Sequence, residues 1–391
     1  MRVALVHDYI KEYGGAERVL RALADMYPDA PIYTAFLVKG STCEKEFRDR
    51  KIIESWLAPL LKIWRFYSPL RFLTPLIWKT MDLSGYDLVI TSASWYIARG
   101  FKVGKDTKVI CYCHTPPRWL YGYEMSVGFT RYWPVKIYAA IVGHFMRIYD
   151  FKSAQTVNKW IANSKNVQAR IEKFYRRDSV VIYPPVDVEE IIKETRRLRP
   201  KDDQPLAEKN LKRQDYFLIV SRLVGAKGLE EAAKAFAESC PKDGQPLADK
   251  FKLKIVGEAH GFADVEKKLK KLSGGNVELL GRVSDDKLYQ LYGKAKGFIA
   301  LAREEDFGMT VVEAQAAGTP VIAFNGGGFK ESVIDGKTGI LINDTDERTL
   351  ERAIRRFNKI KWDKEKLQQN AKRFNKERFI RQLRKYISSA R

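Results

Sequence analysis

A chain of 391 residues, 45% of them hydrophobic, is longer than one hydrophobic core usually serves and too apolar to stay disordered, so two folded domains of similar size are expected. Its 70 basic and 48 acidic residues leave a formal charge of +22, which asks for an anionic partner such as a phospholipid surface, a nucleic acid or an acidic substrate. No uninterrupted apolar run reaches the roughly 18 residues of a membrane span. No RNP, KH, helix-turn-helix or zinc pattern accompanies the charge, so nucleic acid is not the expected partner. The four cysteines, Cys43, Cys111, Cys113 and Cys240, lack metal spacing and fit a reducing cytosol better than a disulfide framework. The opening MRVALVHDYI reads as a buried strand without the layout of a signal peptide.

In chain order, Val3–His7 is a first strand, the loop Asp8–Gly15 ends in Gly14-Gly15, and Ala16–Ala24 has helical spacing. Strand, glycine turn and helix in that order open a Rossmann-type half. From Ser55 to Met81 there is no acidic residue, and aromatic and aliphatic side chains such as Trp56, Ile63 and Phe72 alternate with Lys62, Arg65, Arg71 and Lys79. Pro59, Pro69 and Pro75 break the stretch into short pieces, a pattern suited either to interfacial binding at anionic lipid or to covering a sheet. Asp87–Ser92 and Lys108–Cys113 are further strands. The second delivers His114-Thr115-Pro116-Pro117 to the carboxyl end of the sheet, where open α/β folds bind ligands. Arg118–Phe151 is again rich in aromatic and basic residues, among them Trp119, Arg131, Tyr132 and Trp133, which suit stacking against sugar rings or simple helix packing. Trp160–Ser164 and Val180–Tyr183 close the first sheet, and Pro184-Pro185-Val186-Asp187 marks its exit.

Strand and helix then alternate again, with strands at Tyr216–Ser221, Leu253–Gly257, Val277–Leu280, Gly297–Leu301, Pro320–Phe324 and Thr338–Ile342. Two doubly wound α/β domains facing each other across a cleft are the expected architecture. After the strand ending at Leu301 comes an acidic turn and a helix beginning near Met309. Glu305 and Glu313 are eight apart, two helical turns, so both carboxylates are expected on nearly one face. Between them Asp306, Phe307, Gly308, Met309 and Thr310 present the amides of a helix start, which favours an anion. Carboxylates for hydroxyls beside amides for phosphate oxygens suit a sugar joined to a phosphate. Arg222 ends a strand and Lys227 follows a turn at Gly225, and fixed cations of this kind are what a departing diphosphate requires. No Asp-x-Asp is expected to clamp a metal at a strand end, so neutralisation by side chains and helix dipole without Mg²⁺ is the consistent expectation. The tail, Arg352–Arg391, carries 15 basic and 3 acidic residues.

Glu305-x7-Glu313 followed by AxxAGTPVIA, with Ser221-Arg222-Leu223-Val224-Gly225-Ala226-Lys227-Gly228 upstream, resembles the signature of the retaining GT-B glycosyltransferases of family 4. Cys113-His114-Thr115-Pro116-Pro117-Arg118, Ile161-Ala162-Asn163-Ser164, Tyr183-Pro184-Pro185-Val186-Asp187 and the EEDFG loop are similar to the mannosyltransferases of the WbaZ type within it. The matches run from about Val3 to Asp335. The resemblance implies an N-terminal Rossmann-like acceptor domain over 1–190, a linker over 191–214, a nucleotide-sugar domain over 215–370, and a basic helix over 371–391 packing back on the first domain. It implies that Arg222 and Lys227 grip the donor diphosphate, Glu305 holds sugar hydroxyls and Glu313 holds ribose hydroxyls. His114 then contacts the donor sugar, and the Gly14 and Gly15 amides approach the donor from the N-terminal side. The donor implied is GDP-mannose, with a UDP- or ADP-sugar as alternative. The base is read in loops around Gly257–Gly261 and Gly281–Val283, and no metal or other cofactor is required. The acceptor expected is a saccharide or an isoprenoid-diphosphate-linked glycan, used in polysaccharide assembly at the cytoplasmic face of a membrane to which the protein is peripheral. A nucleotide-sugar epimerase and a non-catalytic basic binding protein are the readings from other classes.

Overall fold

A computed structural model of the chain describes residues 1–63, 67, 69–123, 133–197, 213–237, 251–259, 264–273 and 275–389. Arg65, Arg131, Tyr132, Cys240, Gly261 and residues 198–212 of the expected linker lie outside the described residues. The chain folds as two compact units, Met1–Pro185 together with Lys376–Arg391, and Val186–Asn375.

The first unit is a seven-stranded sheet of β1 (Val3–His7), β2 (Ile32–Thr34), β3 (Ile52–Glu54), β4 (Leu88–Ala93), β5 (Lys108–Cys113), β6 (Lys159–Ala162) and β7 (Ser179–Val181), ordered β3-β2-β1-β4-β5-β6-β7. Every pairing is parallel. Parallel strands need both faces covered, and the residues obey that demand. Along β1, Ala4 and Val6 enter one core while Val3 and Leu5 enter the other. Along β5, Cys111 and Cys113 face the first core and Ile110 and Tyr112 the second. The C-terminal helix Lys376–Ser388 seals that second core with Phe379, Leu383 and Ile387. Phe379 meets Tyr112 edge to face at 5.8 Å.

The second unit holds β8 (Tyr216–Val220), β9 (Lys252–Val256), β10 (Val277–Gly281), β11 (Gly297–Ala300), β12 (Val321–Phe324) and β13 (Gly339–Ile342), ordered β10-β9-β8-β11-β12-β13. All of its pairings are parallel as well. In both sheets the winding direction reverses beside the first strand, between β1 and β4 and between β8 and β11. Such a reversal opens a crevice outside the carboxyl ends of the two strands.

Two expectations need correcting. The short strands β2 and β3 went unread. The stretch expected to begin a linker at 191 is instead part of a helix, Val188–Arg197, whose Val188, Ile191, Ile192 and Thr195 are buried. Apolar spacing inside a charged sequence holds this helix against the helix Met309–Ala316 of the second unit. Among the described residues no helix is long and apolar enough to cross a membrane.

Candidate functional site

In the second unit the reversal point is bridged by charge. Lys227, just past β8, donates from Nζ to Glu305 Oε2 at 2.6 Å, and Glu305 follows β11. The turn that aims Lys227 is a short 3-10 segment, Gly225–Lys227, stopped by Gly228 at φ +67°. A Cβ on Gly228 would lie 2.6 Å from Leu301 Cβ, so only glycine lets the turn close against the end of β11. Arg222 is exposed and makes no ion pair among the described residues.

The acidic loop after β11 is fastened from behind. Gly328 N donates to Glu305 O at 2.9 Å, and Arg303 binds Asp344 Oδ1 at 2.7 Å and Thr345 Oγ1 at 2.9 Å. The Phe307 side chain is buried and packs edge to face on Phe374, so only its backbone can meet a ligand. Gly308 takes φ +86° as the residue before the helix Met309–Ala316, with Phe329 filling the place of any Cβ. The N–H groups of Met309 and Thr310 donate to no acceptor among the described residues. With the helix dipole behind them they form an anion-favouring end.

The helix expected to hold Glu305 and Glu313 two turns apart does not include Glu305. Because the helix starts only at Met309, Glu305 belongs to the loop. Glu313 lies inside the helix, 3% exposed, its Oε2 accepting from Tyr292 Oη at 2.8 Å. An Asp-x-Asp also exists after β13, contrary to expectation, as Asp344-Thr345-Asp346. Its carboxylates are engaged by Arg303 and by Thr349, the latter through the cap of the next helix.

In the first unit Gly14 precedes the helix Gly15–Met26, and its N–H donates to Glu17 Oε2 at 3.0 Å. The other oxygen of Glu17 stands 3.5 Å from Nε2 of the buried His7, the last residue of β1. His7 Nδ1 meets Ser92 Oγ at 3.0 Å, and Ser92 Oγ meets His114 Nε2 at 2.7 Å. One chain of polar contacts therefore runs from the glycine turn to the expected catalytic histidine. Burial, and after it the neighbouring His7, push the His114 imidazole down to about 3, so it is neutral near pH 7. A carboxylate only accepts, so the single-proton form of His7 turns Nε2–H toward Glu17 and leaves Nδ1 bare. Ser92 donates to that nitrogen and accepts from His114 Nε2–H. His114 Nδ1 is then an acceptor.

Two sequence motifs meet behind this histidine. Asn163 at the end of β6 donates to His114 O at 2.8 Å, and Ser164 caps the helix Lys165–Tyr175 by accepting from Val167 N. No local pattern marks His7, Glu17 or Ser92, which lie on three separate elements. Asp8 was also missed. It is buried and accepts from the backbone of Ser94, Tyr96 and Ala98, tying down the loop after β4.

The chain matches two family patterns in succession, Glycosyltransferase Family 4 over residues 13–190 and Glycosyl transferases group 1 over residues 201–374. It is 29% identical over 209 residues to an uncharacterised glycosyltransferase of Methanocaldococcus jannaschii, covering 52% of each chain. It is 28% identical over 286 residues to the alpha-1,3/1,6-mannosyltransferase ALG2 of Dictyostelium discoideum, covering 66% of this chain and 64% of that one. The chain thus spans about half to under two thirds of the length of these relatives. Among solved structures, HepE of Anabaena in complex with UDP-glucose superposes with a TM-score of 0.67 at 20% identity over 100% of both chains. Sucrose-phosphate synthase of Thermosynechococcus elongatus superposes with a TM-score of 0.66 at 17% identity, over 100% of this chain and 99% of that one. Two parallel Rossmann-like sheets, with the family 4 pattern over the first and the group 1 pattern over the second, give the chain the GT-B fold of its glycosyltransferase neighbours.

Proposed function

We propose that the protein transfers a hexose from a nucleotide sugar to a saccharide acceptor with retention at the anomeric carbon. The observation that carries this reading is the Lys227–Glu305 contact, 2.6 Å across the reversal point of the second sheet and next in sequence to the open amides of Met309 and Thr310. Cation, carboxylate and amide dipoles in one place suit a diphosphate joined to a sugar. In the proposed reaction Lys227, Arg222 and the helix start neutralise the leaving diphosphate, and Glu305 holds sugar hydroxyls. Glu313 reaches the ribose hydroxyls only by sharing its bond with Tyr292. Within the first unit, His114 and the Gly14-Gly15 turn are the candidates for contact with a sugar, His114 Nδ1 accepting from a hydroxyl.

Bond making and breaking occur on one face of the sugar. The anomeric carbon–phosphate oxygen bond breaks, the bond to the acceptor oxygen forms, and the acceptor proton leaves on the phosphate. Glu313 is buried and hydrogen-bonded, so the carboxylates are not arranged as the flanking pair of a retaining glycosidase. The donor proposed is GDP-mannose, supported by mannosyltransferases among the relatives, and no metal is required. The acceptor proposed is a lipid-linked glycan at the cytoplasmic face of a membrane, in polysaccharide assembly.

Thermal-shift titration with GDP-, UDP- and ADP-sugars, with and without EDTA, tests the donor, since a ligand binding only the native state raises Tm by mass action. Mass detection of a glycosylated product must follow. Free epimerised sugar instead of transfer would overturn the assignment, and loss of the shift in EDTA would overturn metal independence.

A further inference from the structure

The helix Trp133–Ala154 of the first unit carries an apolar row that nothing among the described residues covers. Trp133, Ile137, Ile141, Phe145 and Ile148 follow one another at spacings of four, four, four and three, which places them on one face. All five are exposed, Trp133 by 73%, Phe145 by 66% and Ile141 by 56%. Its buried residues, Gly143, Met146, Asp150, Ser153 and Ala154, all lie from its middle onward. Beside the row, the Tyr138 hydroxyl donates to Pro69 O, which brings the helix next to the turn Pro69–Leu73. There Phe72 and, on the following helix Thr74–Lys79, Leu76 are also exposed.

Among the described residues, the exposed charge on this helix and on the adjoining segment Pro69–Lys79 has one sign. Lys79, Lys136 and Lys152 are exposed and form no ion pair among the described residues, and the only acid in the helix, Asp150, is buried against Arg99. A soluble protein rarely leaves so long an apolar row open to water unless it meets a partner. A protein partner of ordinary composition would bring acids to those lysines in discrete pairs. A lipid surface brings apolar depth along the row and diffuse negative charge beside it. The helix is too polar to span.

We propose that this face docks on an anionic phospholipid bilayer, with the helix lying in the interface plane, the row in the acyl boundary and the lysines at headgroup level. The inference deepens the proposed function, whose acceptor is lipid-linked, by naming the surface that brings the chain to its acceptor.

The test is cosedimentation of the full chain with vesicles of phosphatidylcholine alone or mixed with phosphatidylglycerol. Wild type is expected to bind the mixed vesicles, weakly at high salt, and to bind the neutral ones at least about tenfold less. The exposed double variant I141E/F145E is expected to lose roughly a hundredfold or more in partitioning while keeping the wild-type circular dichroism and Tm. K136E/K152E is expected to lose the preference for anionic vesicles. Equal binding by wild type and I141E/F145E would overturn the proposal. So would a light-scattering dimer that I141E/F145E dissolves, which would make a second copy the occupant. Nucleotide release from a sugar donor in vesicle-free solution reads the transferase assignment separately, and I141E/F145E is expected to keep it.

Discussion

Glu305→Gln offers the sharpest probe of the second unit's site, because it should move two properties in opposite directions. Lys227 Nζ holds Glu305 Oε2 at 2.6 Å, so a phosphate oxygen bound to the same ammonium at a charge-assisted distance of ~2.8 Å stands about 5 Å from the carboxylate. At an effective dielectric of ~20 that repulsion is about 3 kcal/mol. Both side chains are partly open to solvent, and screening reduces the usable part to ~1–2 kcal/mol. Removing the charge should therefore tighten a bare nucleoside diphosphate by roughly 5- to 30-fold, even as it removes the group proposed to hold the sugar. Calorimetric titration of GDP and UDP against wild type, Glu305→Gln and Lys227→Met measures this directly. The expected order is Glu305→Gln tightest and Lys227→Met weakest, with sugar transfer falling in both. If Glu305→Gln weakened the diphosphate as much as Lys227→Met does, the carboxylate could not lie beside the phosphate and the site would have to be redrawn.

Other expectations follow from the same geometry. Gly228→Ala forces a side chain into left-handed backbone and against Leu301, at about 2–5 kcal/mol. It should lower Tm on the order of 10 °C, and an unchanged melt would mean that the turn is not packed as described. Burial holds the His114 pKa at about 3, below its ordinary unfolded value of ~6.5. The unfolded chain therefore takes up a proton first on acidification, and stability falls as pH drops from about 6.5 toward 3. His114→Gln should flatten this limb by at most ~1.4 kcal/mol per pH unit, and an identical limb in denaturation curves at pH 6 and 4.5 would refute the burial argument. The chain has four histidines, so their imidazole nitrogens can be resolved by NMR in labelled protein. At pH 8, where ordinary imidazole is neutral, His114 should be protonated on Nε2. Glu17→Gln, able to donate to His7, should reverse the chain and move that proton to Nδ1; an unmoved proton would show that Glu17 does not set its direction.

The sheets were legible because parallel strands buried on both faces write continuous apolar runs, and β5, read as Lys108–Cys113, is found over those residues. β2 and β3 were not, their partly exposed residues writing no continuous apolar run. In the second unit the reader can find Lys227 and Glu305 as motif residues, but not their contact, which depends on β8 and β11 being neighbours in space. The helix start at Met309 shows why the two-turn count from Glu305 to Glu313 does not hold. Spacing of eight implies two turns only when every intervening residue is helical, and Gly308 at φ +86° interrupts the count. The polar chain through Glu17, His7, Ser92 and His114 had no local pattern at all, being assembled from residues up to 107 positions apart that only the parallel order of β1, β4 and β5 brings side by side.

The helix Lys376–Ser388 belongs to the unit that the chain began, and Phe379, Leu383 and Ile387 complete its core. During synthesis the first half must therefore wait, one sheet face bare beside Tyr112 and Ile110, until the whole second half has left the ribosome. A stop codon a dozen residues early would do its harm at the opposite end of the gene product from where it falls.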